Sequence, residues 1–111
     1  MSKLARDRGA QFEREVCARI EEVIGIQTKR KLGQARDSGN DIDLKRENGT
    51  HFRLECKRRR AIGNLYEWLQ QAQDSCSTPG DTPVVVCRGD GEKRLAVMYL
   101  DDLLPLIAGD L

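Results

Sequence analysis

Apolar positions near the start of the chain recur at helical spacing. Plotted at about 100° per residue, Phe12, Val16, Ile20, Val23 and Ile24 fall within a stripe of roughly 120°, which predicts a core-facing helix over residues 8–24, ended by Gly25. Glu13 falls inside that stripe, while Glu15, Arg19 and Glu22 are assigned to the opposite, wet face. A carboxylate within an apolar stripe must be paired, take up a proton or approach a cation. An ion pair or a reach to water accounts for Glu13 as readily as a site does.

After the helix the period shortens. Residues 26–36 form a short β-prone piece carrying Lys29, Arg30 and Lys31 and broken at Gly33, and Asp37-Ser38-Gly39-Asn40 reads as a turn. Two strands follow, over 41–46 and 51–57. A two-residue Asn48-Gly49 turn would pair Ile42 with Glu55 and Asp43 with Leu54, mixing carboxylates with apolar groups on both faces. A three-residue Glu47-Asn48-Gly49 loop, with Gly49 left-handed as a bulge, opposes Ile42 to Leu54, Leu44 to Phe52 and Asp41 to Glu55. Only this register leaves one face clean, with Ile42, Leu44, Phe52, Leu54 and Cys56, and collects Asp41, Asp43, Arg53, Glu55 and Lys57 on the other.

That second face has a chemical reading. Opposed residues on antiparallel strands hold their β-carbons about 5 Å apart, so Asp41 and Glu55 would repel unless a proton or a cation is shared between them. Lys57 projects from the same face beside them. Two carboxylates and an ammonium outline a hydrolytic site for a phosphodiester, with Mg²⁺ polarising the phosphate and activating water. A solvated strand face, with Lys57 as a salt-bridge partner, is the plain alternative. The neighbouring Arg58, Arg59 and Arg60 favour the site, because guanidinium groups at the strand end suit a polyanion backbone. A slip of two positions would bring Asp43 opposite Glu55 instead, so Asp43 is a second candidate ligand.

Further along, Asn64 with Glu67 resembles a capping box opening a helix whose Leu65, Trp68, Leu69, Ala72 and Cys76 share a stripe. Trp68 reads as core rather than as a base-stacking platform; Gln70 and Gln71 lie off the stripe. Pro83-Val84-Val85-Val86-Cys87 is a continuous apolar run, the mark of a strand buried on both faces, and residues 95–100 form another. Residues 88–93 make a hairpin loop, and Asp101 is expected to cap a short helix over 102–108 with Pro105 in about its first turn.

Composition narrows the class. With 111 residues, 39% hydrophobic and 33% charged, the chain fits one compact domain spanning 1–111. No apolar run approaches the ~20 residues of a membrane span, and the first residues are charged rather than signal-like, so a soluble, cytoplasmic protein is expected. The net charge of +1 hides an uneven distribution: residues 28–60 carry eleven basic and five acidic side chains, and residues 61–111 carry three and eight. Cys17, Cys56, Cys76 and Cys87 include no close pair, and His51 is the single histidine, which disfavours zinc; four buried thiols are expected.

Taken in order, Arg8-Gly9-Ala10-Gln11-Phe12-Glu13-Arg14, then Ser38-Gly39-Asn40-Asp41-Ile42-Asp43, then Leu54-Glu55-Cys56-Lys57, the sequence resembles the PD-(D/E)xK nuclease superfamily. The likeness is greatest to the archaeal-type Holliday junction resolvases and their phage relatives, and covers residues 8–60 in motif terms. It implies an α/β, restriction-endonuclease-like fold, a mixed central β-sheet flanked by helices in the order αβββαββα. It further implies a Mg²⁺-dependent endodeoxyribonuclease, with Mn²⁺ as a substitute, acting on four-way junctions in DNA recombination and repair. Asp41 would bridge the metal, Glu55 would be the second ligand, Glu13 would complete the shell from the helix and Lys57 would be the catalytic lysine. Arg14 matches a DNA-contacting position, and Lys29, Arg30, Lys31, Arg36, Arg58, Arg59 and Arg60 would hold phosphates. A junction substrate implies a homodimer, for which the less basic stretch 84–107 is the expected surface. The rivals are a phage or repair nuclease of this fold acting on flaps, ends or duplex sites, in the host cytoplasm if phage-encoded, and a non-catalytic DNA-binding module.

Overall fold

The structure is a computed structural model that describes residues 2–26, 42–46 and 49–109. Its elements are α1 (Lys3–Ile24), β1 (Ile42–Lys45), β2 (His51–Arg58), α2 (Leu65–Asp74), β3 (Asp81–Arg88), β4 (Leu95–Val97) and α3 (Leu100–Gly109). The strand expected within 26–36 lies outside the described residues except for Ile26, which is in no element.

The four strands lie in the order β1-β2-β3-β4, with β2 and β3 parallel and both outer pairs antiparallel. This is the mixed sheet flanked by helices that the resemblance implies. Ile42 opposes Leu54 and Leu44 opposes Phe52, the register of the three-residue loop. Arg46 donates its N–H to the Thr50 carbonyl at 2.8 Å, and Gly49 has φ of 95°, the left-handed conformation required of it.

This register sorts the side chains by face. Ile42, Leu54 and Val84 form one core with Phe12, Val16 and Cys17 of α1, joined by Leu44, Phe52 and Cys56. On the other face Val85 and Cys87 pack against Trp68, Leu69 and Ala72 of α2. β3 therefore has both faces covered, as its apolar run predicts, and burial pushes the Cys87 thiol up from its ordinary pKa. Pro83 lies before the segment of β3 that β4 pairs, Val85 to Cys87, so its missing N–H interrupts no bond to β4.

Several expectations need correction. α1 starts at Lys3, five residues early, because the Ser2 hydroxyl accepts the Ala5 N–H at 3.1 Å as a cap. Its last turn is wet: Val23 and Ile24 are 63% and 58% exposed, lining an open groove with Val86, Leu95 and Ala96 of the sheet rather than packing against it. Glu15 is not on a wetted face but bridges to Arg88 and Arg94. β4 stops at Val97, and Leu95 and Leu100 are exposed, so this second apolar run is not a doubly buried strand. α3 begins at Leu100, placing Asp101 in its first turn beside Asp102 rather than before the helix, and Pro105 deeper in the helix. Only Cys17 and Cys87 are buried; Cys56 and Cys76 are half-buried. Asn64 does cap α2, accepting the Glu67 N–H at 3.1 Å, but the helix ends before Cys76.

Two substitutions measure this frame. Ile42→Ala removes a side chain with no exposure from the α1 core and should lower unfolding free energy by about 2–5 kcal/mol in urea titrations. Gly49→Val, which forces a β-branched residue to positive φ, should cost about 1–2 kcal/mol by the same measurement.

Candidate active site

Strand alternation sets Arg53, Glu55 and Lys57 on the face of the sheet that α2 partly covers, opposite in parity to Leu54 and Cys56. Glu55 and Lys57 are brought together: the Lys57 Nζ lies 3.8 Å from a Glu55 carboxylate oxygen, with side chains 15% and 17% exposed respectively. A half-buried carboxylate and ammonium keep more of their mutual field than a surface pair does. Asp41, the residue preceding β1, lies outside the described residues, as do Lys29, Arg30, Lys31 and Arg36. Among the described residues, no group of three or more His, Cys, Asp or Glu side chains is placed to hold a metal ion.

Glu13 belongs to the helix that covers the other face. Its flank is defined by its neighbours: Arg8 and Glu15 of α1 tie to Asp90, Arg88 and Arg94 on the β3–β4 side, and Glu13 lies across the helix from Glu15. That turns Glu13 toward the β1 edge, half-buried beside Phe12. Arg14 is exposed on the side of α1 away from the sheet.

Asp43 is placed elsewhere. It opposes Arg53 rather than Glu55, so the slipped register does not occur. Its carboxylate lies 3.4 Å from an Arg53 nitrogen and 3.5 Å from His51 Nε2. Arg53 also donates from Nε to Asp81 at 3.0 Å and from its terminal nitrogen to the Ser77 hydroxyl at 3.2 Å. Asp81, only 3% exposed, accepts the Thr78 N–H as well. This polar cluster ties β1, β2, β3 and the α2–β3 connection together. Nearby Cys76 has its thiol pKa raised, by burial first and then by the Asp81 charge. The reason for Asp43 as a second ligand is a register slipped by two positions, and β1 and β2 pair without that slip.

The arginine run divides. Arg58 is 16% exposed and committed to Asp90 at 2.7 Å and to the Arg59 carbonyl at 2.6 Å. Arg8 meets the same Asp90 carboxylate at 2.8 Å, so Asp90 is clasped by two guanidinium groups. The hydrogen bond from Arg58, then the charges of Arg8 and Arg58, hold the Asp90 carboxyl below its ordinary pKa. Arg59 lies over the Trp68 ring, 5.6 Å from its centroid, so Trp68 is core on one side and a cation platform on the other. Arg60 is exposed. Arg59 and Arg60 are thus the members of the run placed to meet a polyanion. The Asp90 clasp has no local signature in sequence, since Arg8, Arg58 and Asp90 are each more than thirty residues from the nearest of the others. Gln70 bonds to Asp74 at 2.9 Å, and Gln71 is exposed.

A protein-family profile described as "Phage putative PDDEXK endonuclease" matches residues 4–109. The chain belongs to this family. It is therefore a member of the PD-(D/E)xK superfamily, and Glu55-Cys56-Lys57, the run on which the resemblance rests, lies on β2 of a sheet of the expected kind. No curated protein matches it. No described helix of this family member is long and apolar enough to cross a membrane.

Arg53→Ala leaves the Asp81 carboxylate buried without its guanidinium and should destabilise the fold by about 3–5 kcal/mol in denaturant titrations. Arg58→Ala should raise the Asp90 pKa, read by NMR pH titration. Because the folded pKa is the lowered one, the clasp stabilises above the unfolded carboxylate pKa and is lost as pH falls through the folded value. The stability gap between wild type and Arg58→Ala should therefore close in acid.

Proposed function

We propose that this endonuclease-family protein hydrolyses DNA phosphodiesters with Mg²⁺, using Asp41, Glu55 and Lys57, and that its substrate is a four-way junction. The observation that carries the reading is the pairing of Ile42 with Leu54 together with the Glu55–Lys57 contact. Continuing that register by one pair would set Asp41 opposite Glu55, giving two hard oxygen ligands of the kind Mg²⁺ takes, with Lys57 beside them. Glu13, on the β1 flank of α1, would add a carboxylate from the same edge.

Mg²⁺ held there would polarise the scissile phosphate and lower the pKa of its water. The chain's own residues do the rest. Lys57 holds positive charge against the phosphoryl oxygens and aligns the attacking water, and its Glu55 contact fixes where that charge stands. Arg59 and Arg60 hold the backbone beyond the site, and Arg14 and the basic residues of 29–36 extend the same contact. A single domain of this size reaches about one turn of duplex, so a junction would be met by a two-fold pair of chains, with Mn²⁺ able to replace Mg²⁺.

The family description, which names an endonuclease and no junction, favours a second reading in which flaps, ends or duplex sites are cut. A labelled four-way junction, a flap and a linear duplex of the same sequence, each with and without Mg²⁺, separate the two. Junction cleavage that needs Mg²⁺ is expected. Glu55→Ala and Lys57→Ala should each lower the rate on the order of 100-fold or more while junction binding persists. Equal cutting of all three substrates would replace the junction by the second reading. Absence of cleavage by the unmutated protein in Mg²⁺ or Mn²⁺, with binding retained, would leave a non-catalytic module.

A further inference from the structure

At the carboxyl ends of the parallel strands β2 and β3 lies a cavity of about 610 Å³. It opens between the connection after β2 and the β3–β4 hairpin loop. Crevices at this end of an α/β sheet are where such folds take ligands, and the volume is that of a small-molecule site. The two walls are fixed to each other: Arg59 donates its N–H to the Arg88 carbonyl at 3.1 Å, and Asp90 donates to the Arg60 carbonyl at 3.0 Å. Gly89 is pressed against that second contact, since a Cβ there would stand 3.4 Å from the Arg60 carbonyl oxygen.

The lining has two characters. Ala61, Ile62 and Leu95 give an apolar wall, and Leu95 is 46% exposed toward it. Arg60 and Lys93 stand at the exposed rim, with Glu92 between the hairpin glycines and Lys93. Asp90 brings little repulsion to an anion, because Arg8 and Arg58 already clasp it. The lining sets two cations, Arg60 and Lys93, against two carboxylates, Asp90 and Glu92, and because Arg8 and Arg58 hold Asp90 from outside the lining, the two cations face only Glu92 as an uncommitted opposing charge within it.

An apolar slot with a cationic rim suits a flat apolar body that carries an anion. We propose that this cavity takes one unpaired nucleotide of the nucleic-acid substrate, its base against Ile62 and Leu95 and its phosphate on Arg60 and Lys93. The nucleic-acid part of this assignment rests on the function proposed above. Arg60 follows Lys57 by three residues, about 10 Å of extended chain. At about 3.4 Å of rise per nucleotide, the captured unit lies within roughly three positions of the phosphate at Glu55 and Lys57. A base in a duplex has both faces stacked, so the cavity takes a nucleotide only where stacking is broken next to the cut, as at the branch point of a junction or a flap.

The test is made in EDTA, so that it does not depend on cleavage. The full chain is titrated with each deoxynucleoside monophosphate and, separately, with inorganic phosphate, and amide shifts are followed by NMR. Shifts at residues 60–62 and 89–95 are expected, with the nucleotides binding at least tenfold more tightly than inorganic phosphate. Lys93→Glu, at an exposed loop position, and Ala61→Trp, which fills the slot from an exposed position, should each weaken nucleotide binding tenfold or more. Nucleotide and phosphate binding of equal strength, shifts confined elsewhere, or unchanged binding in both variants would overturn the assignment. Nucleotide capture by a protein that cuts no DNA would overturn the nuclease reading and keep the cavity; cleavage without capture would do the reverse.

Discussion

The parity of the β1–β2 pairing is the constraint from which the remaining arrangement follows. With Gly49 in the left-handed conformation and Ile42 opposite Leu54, apolar side chains of β1 and β2 meet α1, and the charged ones turn to the α2 face. Moving the pairing by one residue would drive either Asp43 or Glu55 into the Phe12 and Val16 core, where an unpaired carboxylate costs far more than a turn residue can return. Core and site are therefore two faces of one decision. The parallel partner β3 carries that decision to the second layer, giving Val84 to α1 and Val85 to α2.

The charged side chains divide their work along β2. At its start, Arg53 and His51 gather Asp43 and Asp81 into a tie across three strands. In the middle stand Glu55 and Lys57, and at the end Arg58 closes on Asp90 with Arg8. Guanidinium groups used as ties at both ends hold the strand in place, so that the middle pair can be positioned by its neighbours.

Strand register was legible because period-two patterning leaves few choices: one loop length separates Ile42, Leu44, Phe52 and Leu54 from the charged positions, and the structure adopts it. The capped α2 and the doubly covered β3 were legible for the same reason, each resting on local side-chain pattern. What failed depended on distant partners. Val23 and Ile24 fit the helix stripe but only line an open groove against Val86, Leu95 and Ala96, and Leu95 and Leu100 are as apolar as a core strand yet lie at the sheet's end. Of the proposed site, Glu55 with Lys57 follows from alternation, whereas the division of Arg58, Arg59 and Arg60 among Asp90, Trp68 and solvent could not be read from a run of like residues.

α3 has a consequence of its own. None of its ten residues is buried, and Leu100, Leu104 and Ile107 stay about half or more exposed, so its backbone bonds are backed by little apolar contact. Resistance to local opening scales with such backing. Amide protons of this terminal helix should therefore trade with deuterated solvent well before those of β3, making the carboxyl end the first cooperative unit to come away while the sheet stays closed.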